Sequence, residues 1–287
     1  METSDRILSA AIFDGDRLLS RADSQSIKFD ESSVVATAAG PNEQRLPIQV
    51  QSSSQTVTRK QRLRQTPGIS VTLFPMLQQL LTSQQLKMNQ IELISLTSGP
   101  GAFTGLRAAV VAAKTMAYTL KIPVVTVNSL DVIAYQCLNW LAGLDGRVEI
   151  QKYVSLKIAI NAQRGQLLTA CYPINGMKST CQMNQPLAIE SGEWWQRDGE
   201  YQLIGRDQWA QQLTSTDVIS GGGLAISKEH LNQFTGLVAD EGCWYGDAVS
   251  VGRLAWQKFL TDQTEDIWSL APIYFRPSYA EEKSQPS

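Results

Sequence analysis

Two stretches of the chain have the same order: a strand-like apolar run, a glycine-rich turn and a helix-like run. The first lies in residues 93–120 and the second in residues 217–225. In the first, another strand-like run, Val124 to Val127, follows the helix, which predicts parallel strands joined by a crossover helix. The chain is therefore expected to have an α/β fold, and the repeat of this order indicates a duplicated architecture.

The glycine-rich turn of the first stretch spans Ser98 to Arg107 and reads SGPGAFTGLR. Its proline has a fixed φ and stands between two glycines, so the backbone bends tightly before a helix expected to begin near Thr104. Such a turn can hold an anion at the helix N-terminus. A Walker A loop is excluded because the nearest Lys-Thr pair, Lys114-Thr115, lies inside the helix, and the glycine spacing misses the dinucleotide fingerprint by one residue. An anion site and a structural turn both stay open.

The composition is that of a folded, weakly acidic protein. With 287 residues, of which 43% are hydrophobic, the chain can bury a substantial core in one or two domains. The net charge of −2 argues against a dedicated nucleic-acid-binding protein, which usually carries a strong basic excess. The start has no signal-peptide pattern and no apolar run approaches the roughly 20 residues of a membrane span, so we expect a cytoplasmic protein that makes no use of a membrane.

Histidine and cysteine usage excludes several kinds of catalytic site. The four cysteines, at positions 137, 171, 181 and 243, have spacings that fit neither a zinc site nor a dense disulfide framework, and they are expected to be reduced. The single histidine, His230, lies in a polar stretch typical of a solvated helix. One histidine rules out a His-x-x-x-His metal site and nearly excludes a Ser-His-Asp triad. No catalytic residue and no metal ligand are predicted.

The N-terminal part is predicted to begin with a β-hairpin. Residues 7–14 and 17–21 are joined by an Asp-Gly turn, and residues 27–35 are a candidate third strand. Residues 36–68 are rich in Gln, Ser, Thr, Arg and Pro, which predicts a flexible insertion. Its basic cluster at residues 59–64 is interpreted either as a solvated loop or as a contact with RNA or a partner protein.

Two amphipathic helices are predicted, one on each side of a buried strand at residues 93–97. They span residues 70–82 and 105–120. Apolar residues recur at helical spacing in both: Leu73, Phe74, Leu77, Leu80 and Leu81 in the first, and Leu106, Val110, Ala113, Ala117 and Leu120 in the second.

A second α/β unit is predicted from Tyr153 onwards. Residues 153–160 and 166–172 are strand-like runs around a turn, and residues 217–220 form a strand that leads through three glycines into a helix. Another helix is predicted over residues 247–260, with Val251, Leu254, Ala255 and Phe259 on one side.

Several motifs together resemble the TsaB family, also called YeaZ, of the bacterial machinery that makes threonylcarbamoyladenosine on tRNA. Ser98 to Arg107 is similar to the family's GPGSFTGLR, and an alanine-rich helix, Ile122-Pro123 and Val127-Asn128-Ser129-Leu130 follow it. Three shorter motifs agree: the opening Glu2-Thr3-Ser4, residues 161–166, which resemble DARRGE, and residues 272–276, which resemble the closing PxYLR. The resemblance covers most of the chain and is dense only at residues 90–135.

The resemblance implies an actin/Hsp70/sugar-kinase-like (ASKHA) fold. This is an α/β fold of two ribonuclease-H-like domains in which helices flank mixed sheets. The expected boundaries are residues 1–135 for the first domain, including the insertion, and residues 150–245 for the second. Residues 246–287 are expected to form a helix and a tail that return to the first domain.

The resemblance also implies a subunit without chemistry of its own. Family members resemble TsaD, which transfers a threonylcarbamoyl group to N6 of adenosine 37 in tRNA, and they act as scaffolds that pair with it. The implied partners are a TsaD-type catalytic subunit, a TsaE-type ATPase in the ternary complex and, indirectly, tRNA. A homodimer is the alternative when the partner is absent.

The partner-facing surface is expected on exposed parts of the helices at residues 70–82 and 105–120, although a core-facing helix needs the same pattern. The candidate residues are Phe74, Leu77, Leu81, Ala109, Ala112, Ala113 and Met116.

No cofactor of its own is expected for the chain, and ATP or ADP is the open alternative because related folds bind ATP in the cleft. The candidate residues are Ser98, Gly99, Gly101, Thr104, Gly105 and Arg107 at the first turn, and Gly221, Gly222 and Gly223 for an adenosine at the second. The opposing interpretation is that both turns are inherited connections between a strand and a helix.

The chain departs from the family pattern in three places. The apolar residues that normally form the first strand before Glu-Thr-Ser are missing, Asn161 and Gln166 replace acidic residues of DARRGE, and the insertion at residues 36–68 is longer than expected. The rival function classes are a kinase-like or metallopeptidase-like enzyme of the same fold, and a homodimeric binding module.

Overall fold

The computed structural model describes residues 9–15, 17–23, 69–144, 149–174 and 197–275. The predicted third strand at residues 27–35 and the insertion with its basic cluster lie outside the described residues. Within them the strands are β1 (Ser9–Asp14), β2 (Arg17–Asp23), β3 (Ile94–Gly99), β4 (Val124–Asn128), β5 (Ser155–Asn161), β6 (Gln166–Pro173), β7 (Asp198–Gly205), β8 (Asp217–Ser220) and β9 (Leu237–Val238). The α-helices are α1 (Ile69–Ser83), α2 (Phe103–Leu120), α3 (Ser129–Ala142), α4 (Arg206–Gln211) and α5 (Ala248–Leu260).

The second half of the chain forms one five-stranded sheet in the order β7-β6-β5-β8-β9. β5, β6 and β7 are antiparallel neighbours, whereas β8 and β9 run parallel to β5 and to each other. The first strand of this unit, β5, is therefore the central strand of the sheet. This is the strand order of a ribonuclease-H-like domain, as the resemblance implies.

The first half contains two pairs of strands. β1 and β2 form the predicted antiparallel hairpin around Gly15, which has φ +59°. β3 and β4 are parallel, with Leu96 opposite Thr126. Among the described residues no strand joins these two pairs into one sheet.

Helices cover both faces of the first-half strands. α1 packs on β1 and β2, α2 packs on β3, and α5 crosses the opposite face to contact β1, β3 and β4. α3, capped by the Asn128 side chain, which accepts from the Leu130 amide at 2.9 Å, packs on β3 and β4 and also on β5 and β6. α3 thus contacts strands of both halves, and it shares one apolar cluster with β4 and α5.

The helical periodicities are confirmed with one shift. On α2 the predicted face is correct, since Leu106, Val110, Ala113 and Ala117 are all buried. On α1 the structure buries Met76 and leaves Phe74 half exposed, so the predicted apolar stripe was wrong at Phe74. A helix after the second glycine turn was also predicted, and residues 222–226 form a short 3-10 helix instead of an α-helix.

The second glycine turn is shaped by a close approach of two backbones. Gly221 has φ +111°, and a Cβ atom there would lie 2.2 Å from the carbonyl oxygen of Ala159 on β5. A Cβ at Gly223 would lie 2.8 Å from the same oxygen. These glycines let the turn lie directly on the central strand of the sheet.

The domain boundaries at residues 135 and 150 stay predictions. The return of residues 246–287 to the first domain also stays a prediction. No helix in the described part of the chain is long and apolar enough to cross a membrane.

Replacement of Gly221 by alanine is expected to destabilise the protein by about 3 kcal/mol or more, because the added methyl group meets the Ala159 backbone and φ is left-handed. Urea unfolding followed by circular dichroism measures this. Gly205→Ala is the matched control, since Gly205 has φ −65° and open space around its Cβ position. Equal stability of the two variants would contradict the close packing.

A buried carboxylate ties β8 to β5. Asp217 accepts hydrogen bonds from Lys157 Nζ at 2.8 Å, from the Ser155 hydroxyl and from the Thr214 amide at 2.7 Å. Burial by itself would raise the pKa of this carboxyl, but these hydrogen bonds outweigh burial and hold the pKa below its ordinary value. The lowered pKa means that the ionised form stabilises the fold above the unfolded pKa of about 3.9, and that this stabilisation is lost as the pH falls through the folded pKa.

Asp217→Asn is expected to lower the free energy of unfolding by about 2 to 3 kcal/mol at pH 7, because it leaves Lys157 without its counter-charge. The variant's stability is expected to change less than that of the wild type when the pH falls from about 5 to 2. Urea titrations across this pH range test both statements. Asp207→Asn, at a side chain that is 81% exposed, is the control and should change little.

Candidate functional site

The glycine loop follows the carboxyl end of β3 and leads into α2. β3 ends at Gly99, the Gly99-Pro100 peptide bond is cis, and α2 begins at Phe103, one residue before the predicted start. Ser98, Gly99 and Gly105 are buried, whereas Gly101, Thr104 and Arg107 are exposed. The six predicted anion-site residues of this loop therefore divide between an inner and an outer side.

The inner side of the loop is covered by the end of the chain. We call residues 268–275 the C-terminal strap. The Ile273 amide donates to the Ser98 carbonyl at 2.7 Å, and a Cβ atom on Gly99 would lie 2.7 Å from the Ile273 carbonyl oxygen. Gly99 has φ +117°, a backbone conformation that favours glycine, and the strap leaves no room for a Cβ atom at this position. In this arrangement the backbone of Ser98 and Gly99 faces the strap.

Arg107 on the outer side of the loop also contacts the strap. Its Nε donates to the Tyr274 hydroxyl at 2.9 Å, and its guanidinium lies 3.8 Å from the centre of the Phe103 ring. The rings of Phe103 and Tyr274 are 4.8 Å apart. The arginine that the sequence offered as an anion ligand is therefore engaged with aromatic side chains of this chain.

The strap reaches both halves of the molecule. On one side Leu270 is buried in the core of the first half, and Lys114 Nζ donates to the carbonyls of Trp268 and Leu270 at 3.2 Å. On the other side the Phe275 ring packs edge-on against Tyr201 of β7, with the ring centres 5.1 Å apart. The closing motif thus crosses from the glycine loop to the second sheet.

The second group of nucleotide candidates, Gly221, Gly222 and Gly223, lies against β5. Gly221 and Gly223 are buried there, as described above. Both turns serve the packing of this chain, which agrees with the interpretation of them as structural connections.

Most candidate interface residues lie inside the chain's own core. Leu81, Ala109, Ala112 and Ala113 are buried, and Leu77 and Met116 are partly buried against the same cluster. The four buried residues do not face a partner, which corrects the expectation for them. Their small or aliphatic side chains are covered where α1, α2 and the strands meet. Phe74, at 50% exposure, is the candidate that stays accessible.

The outer face of α2 carries an apolar surface that the sequence reasoning missed. Val111 is 63% exposed and Tyr118 is 64% exposed, and Trp268 of the strap, at 73%, packs edge-on against Tyr118 with ring centres 5.6 Å apart. Phe103 stands at the start of the same helix. We call Phe103, Val111, Tyr118 and Trp268 the α2 ridge. The signal was available, since apolar residues on both sides of one helix indicate two covered faces.

A partly buried acidic group lies where α3 meets the second sheet. The Tyr172 hydroxyl of β6 donates to Asp131 of α3 at 2.6 Å. Burial raises the pKa of Asp131, and the hydrogen bond from Tyr172 opposes part of that effect. This contact holds α3 on the second sheet, and Asp131 is not among the sequence candidates.

The remaining reactive side chains do not converge. His230 Nδ1 lies 2.6 Å from Asp207 in an exposed pair. Cys137, Cys171 and Cys243 are free thiols, while Cys181 lies outside the described residues. In the described part of the chain no three His, Cys, Asp or Glu side chains group as a metal site would require.

Comparison with known proteins identifies sequence relatives of this chain. A family profile described as "TsaD: tRNA N6-adenosine threonylcarbamoyltransferase" matches residues 68–158, which include α1, the glycine loop and α3. The chain is 25% identical over 219 residues to the tRNA threonylcarbamoyladenosine biosynthesis protein TsaB of Bacillus subtilis, covering 75% of this chain and 82% of that protein. It is 29% identical over 82 residues to TsaB of Haemophilus influenzae, covering 26% of this chain and 35% of that protein. The chain is similar to the TsaB/YeaZ family.

Solved structures of this family show the same fold. The structure titled "YeaZ from Pseudomonas aeruginosa" superposes with a TM-score of 0.58 at 17% identity and covers 96% of this chain and 97% of its own. The ASKHA-like α/β fold with mixed sheets flanked by helices is thereby confirmed. The dense part of the sequence resemblance, at residues 90–135, includes α2 and the strap-covered loop.

Tyr274→Ala is expected to loosen the strap, because it removes the hydrogen bond from Arg107 and the ring contact with Phe103. Hydrogen exchange of the Ile273 amide is expected to become roughly fivefold faster, which corresponds to about 1 kcal/mol. Tyr274→Phe keeps the ring and should lie between the wild type and the alanine variant. Unchanged exchange in the alanine variant would contradict the role of Tyr274 in holding the strap.

Proposed function

We propose that this chain is a non-catalytic scaffold of the tRNA threonylcarbamoyladenosine (t6A) machinery, which binds and activates a TsaD-type threonylcarbamoyltransferase. The coarse part of this function, a role in t6A biosynthesis, follows from the names of its relatives. The finer part, partner binding, rests on the surface of α2.

The observation that carries the proposal is the α2 ridge. Large apolar side chains that stay exposed as a group on a folded protein mark a protein-protein contact. Here three aromatic rings and Val111 occupy one helix face and the strap beside it, with Arg107 among them. Aromatic and arginine side chains are the ones that contribute most to such interfaces. The ridge is therefore the surface that we assign to the TsaD-type partner.

The scaffold role is further supported by the state of the glycine loop. A nucleotide phosphate at this loop needs the backbone that the strap covers, since Ile273 contacts both Ser98 and Gly99. Binding of ATP or ADP by this chain is accordingly a proposal only for a state in which the strap has moved. This contact also disfavours the rival kinase-like enzyme, for which the loop would have to be open to substrate.

The other partners follow from the same proposal. A TsaE-type ATPase would join the complex of this chain with the TsaD-type subunit, and tRNA would be bound through the complex and not by this chain alone. When the partner is absent, the α2 ridges of two copies are the surfaces with which a homodimer would form.

Val111→Arg is expected to weaken the complex with the TsaD homologue of the same organism by roughly 30-fold or more, because burying an unpaired arginine in an apolar interface costs about 2 kcal/mol or more. The side chain is exposed in the isolated subunit, so its fold should be unaffected. Isothermal titration calorimetry with the wild-type and variant chains measures the difference, and circular dichroism checks the fold.

The matched control is Val238→Arg on β9, an exposed valine in the second half of the chain. It introduces the same charge away from the ridge and should bind like the wild type. If Val111→Arg also binds like the wild type, the ridge is not the partner surface. If no complex forms with the wild-type chain, the scaffold function itself is wrong.

A further inference from the structure

The most exposed large apolar side chain among the described residues, Trp268, stands on a turn that is fixed at both ends. We call residues 266–270 the Trp268 turn. Before it, the Glu265 amide donates to the Val124 carbonyl of β4 at 2.8 Å. At its end, Leu270 is buried in the core of the first half. The turn therefore holds its tryptophan at a defined place on the surface.

Asp266 closes the Trp268 turn with its side chain and its backbone. The Trp268 and Ser269 amides each donate to the Asp266 carboxylate at 3.2 Å, and the Leu270 amide donates to the Asp266 carbonyl at 3.0 Å. The hydrogen bond from the Trp268 amide, more than any other contact, holds the pKa of Asp266 below its ordinary value. The carboxylate is thus ionised at neutral pH and accepts both bonds.

Lys114 of α2 fixes the turn from the other side. Its Nζ donates to the carbonyls of Trp268 and Leu270, both at 3.2 Å. Lys114 lies three residues after Val111 and four before Tyr118, so it shares a side of the helix with both. The Trp268 ring meets Tyr118 edge-on beside it. The bonds of Lys114 therefore place the indole next to the exposed face of α2.

The exposed face of α2 asks for few hydrogen bonds from a partner. The Thr115 hydroxyl donates to the Val111 carbonyl, and the Thr119 hydroxyl donates to the Thr115 carbonyl, both at 2.8 Å. Both threonines are exposed, but their hydroxyl protons are used inside the helix. A partner can thus cover this face with apolar groups and leave no threonine donor unsatisfied.

We propose that Lys114 and Asp266 are positioning residues that hold Trp268 out as the anchor of the α2 ridge. The inference rests on the proposed binding of a TsaD-type subunit, which would receive the indole in an apolar pocket. Tryptophan is enriched among the residues that dominate interface energies, and its N–H needs an acceptor in that pocket once water is excluded. A side chain that is ordered before binding loses less freedom when the complex forms. Lys114 acts in this way through Trp268.

The test is a double-mutant cycle on the complex with the TsaD homologue of the same organism, measured by isothermal titration calorimetry. Trp268→Ala is expected to raise the dissociation constant by roughly 30-fold or more. Lys114→Met is expected to raise it by roughly fivefold, because the turn is no longer fixed against α2. In the Trp268→Ala background, Lys114→Met is expected to change the affinity little further, since the side chain that it positions is gone.

Two further variants separate positioning from charge. Lys114→Arg is expected to bind nearly like the wild type, because a guanidinium can donate to both carbonyls. Lys228→Met removes the same charge from an exposed position of the second half and is the matched control. In the isolated chain, hydrogen exchange of the Leu270 amide is expected to be roughly fivefold faster with Lys114→Met and near the wild-type rate with Lys114→Arg.

The outcomes distinguish this proposal from the scaffold function on which it rests. Wild-type affinity of Lys114→Met, or an equal loss caused by Lys114→Met with and without Trp268, would overturn the positioning role while leaving the complex in place. Wild-type affinity of Trp268→Ala would overturn the anchor in the same way. Failure of the wild-type chain to bind the homologue would overturn the scaffold function and this proposal together.

Discussion

The approach of the Ile273 backbone to Gly99 determines how the glycine loop is used. Only a residue without a Cβ fits there, because the strap carbonyl lies 2.7 Å from the position that a Cβ would occupy. Once the strap is in place, Tyr274 meets Arg107 and Phe103, Trp268 meets Tyr118, and Phe275 meets Tyr201. The loop has the sequence pattern of an anion site, but its inner side packs against the strap. The aromatic residues beside the loop form part of the exposed surface.

Both halves of the molecule contain an antiparallel pair and a parallel pair of strands among their described residues. The second half has a continuous sheet built around β5, with Asp217 fixing β8 to it through Lys157 and Ser155. In the first half, the described residues form an antiparallel pair, β1-β2, and a parallel pair, β3-β4, which helices cover. Two helices connect the separate groups of strands. α5 packs across both strand pairs of the first half, and α3 contacts the second sheet through Asp131 and Tyr172.

The sequence predicted the features that depend on local periodicity and on turn chemistry. The hairpin around Gly15, the parallel pair β3-β4, the buried face of α2 and the helix capped by Asp247 all follow from spacing or from a single residue type. The prediction from sequence failed where packing against a second layer of helices or strands decides which residues are buried. Ala109, Ala112 and Ala113 were interface candidates because they lie on a predicted amphipathic helix, and the structure places them in the chain's own core.

The contacts of the strap could not be predicted from the sequence, because Arg107 and Tyr274 are far apart in the chain and nothing local links them. The same holds for Phe74 and Met76 on α1, since both fit a helical stripe and only the packing of α1 on β1 and β2 selects Met76. The roles of Gly221 and Gly99 were open for a related reason. A glycine that receives a ligand and a glycine that receives another backbone have the same sequence pattern.

The central claim is that this chain serves the t6A reaction by binding the enzyme that performs it. The most direct test is formation of t6A in tRNA, measured by nucleoside mass spectrometry, with the TsaD homologue of the same organism and the other components of the reaction, in the presence and absence of this chain. We expect the modification to depend on the wild-type chain, Val111→Arg to fail to support it while Val238→Arg does, and the chain alone to form none. Equal modification with and without the chain, or with the two arginine variants, would contradict it.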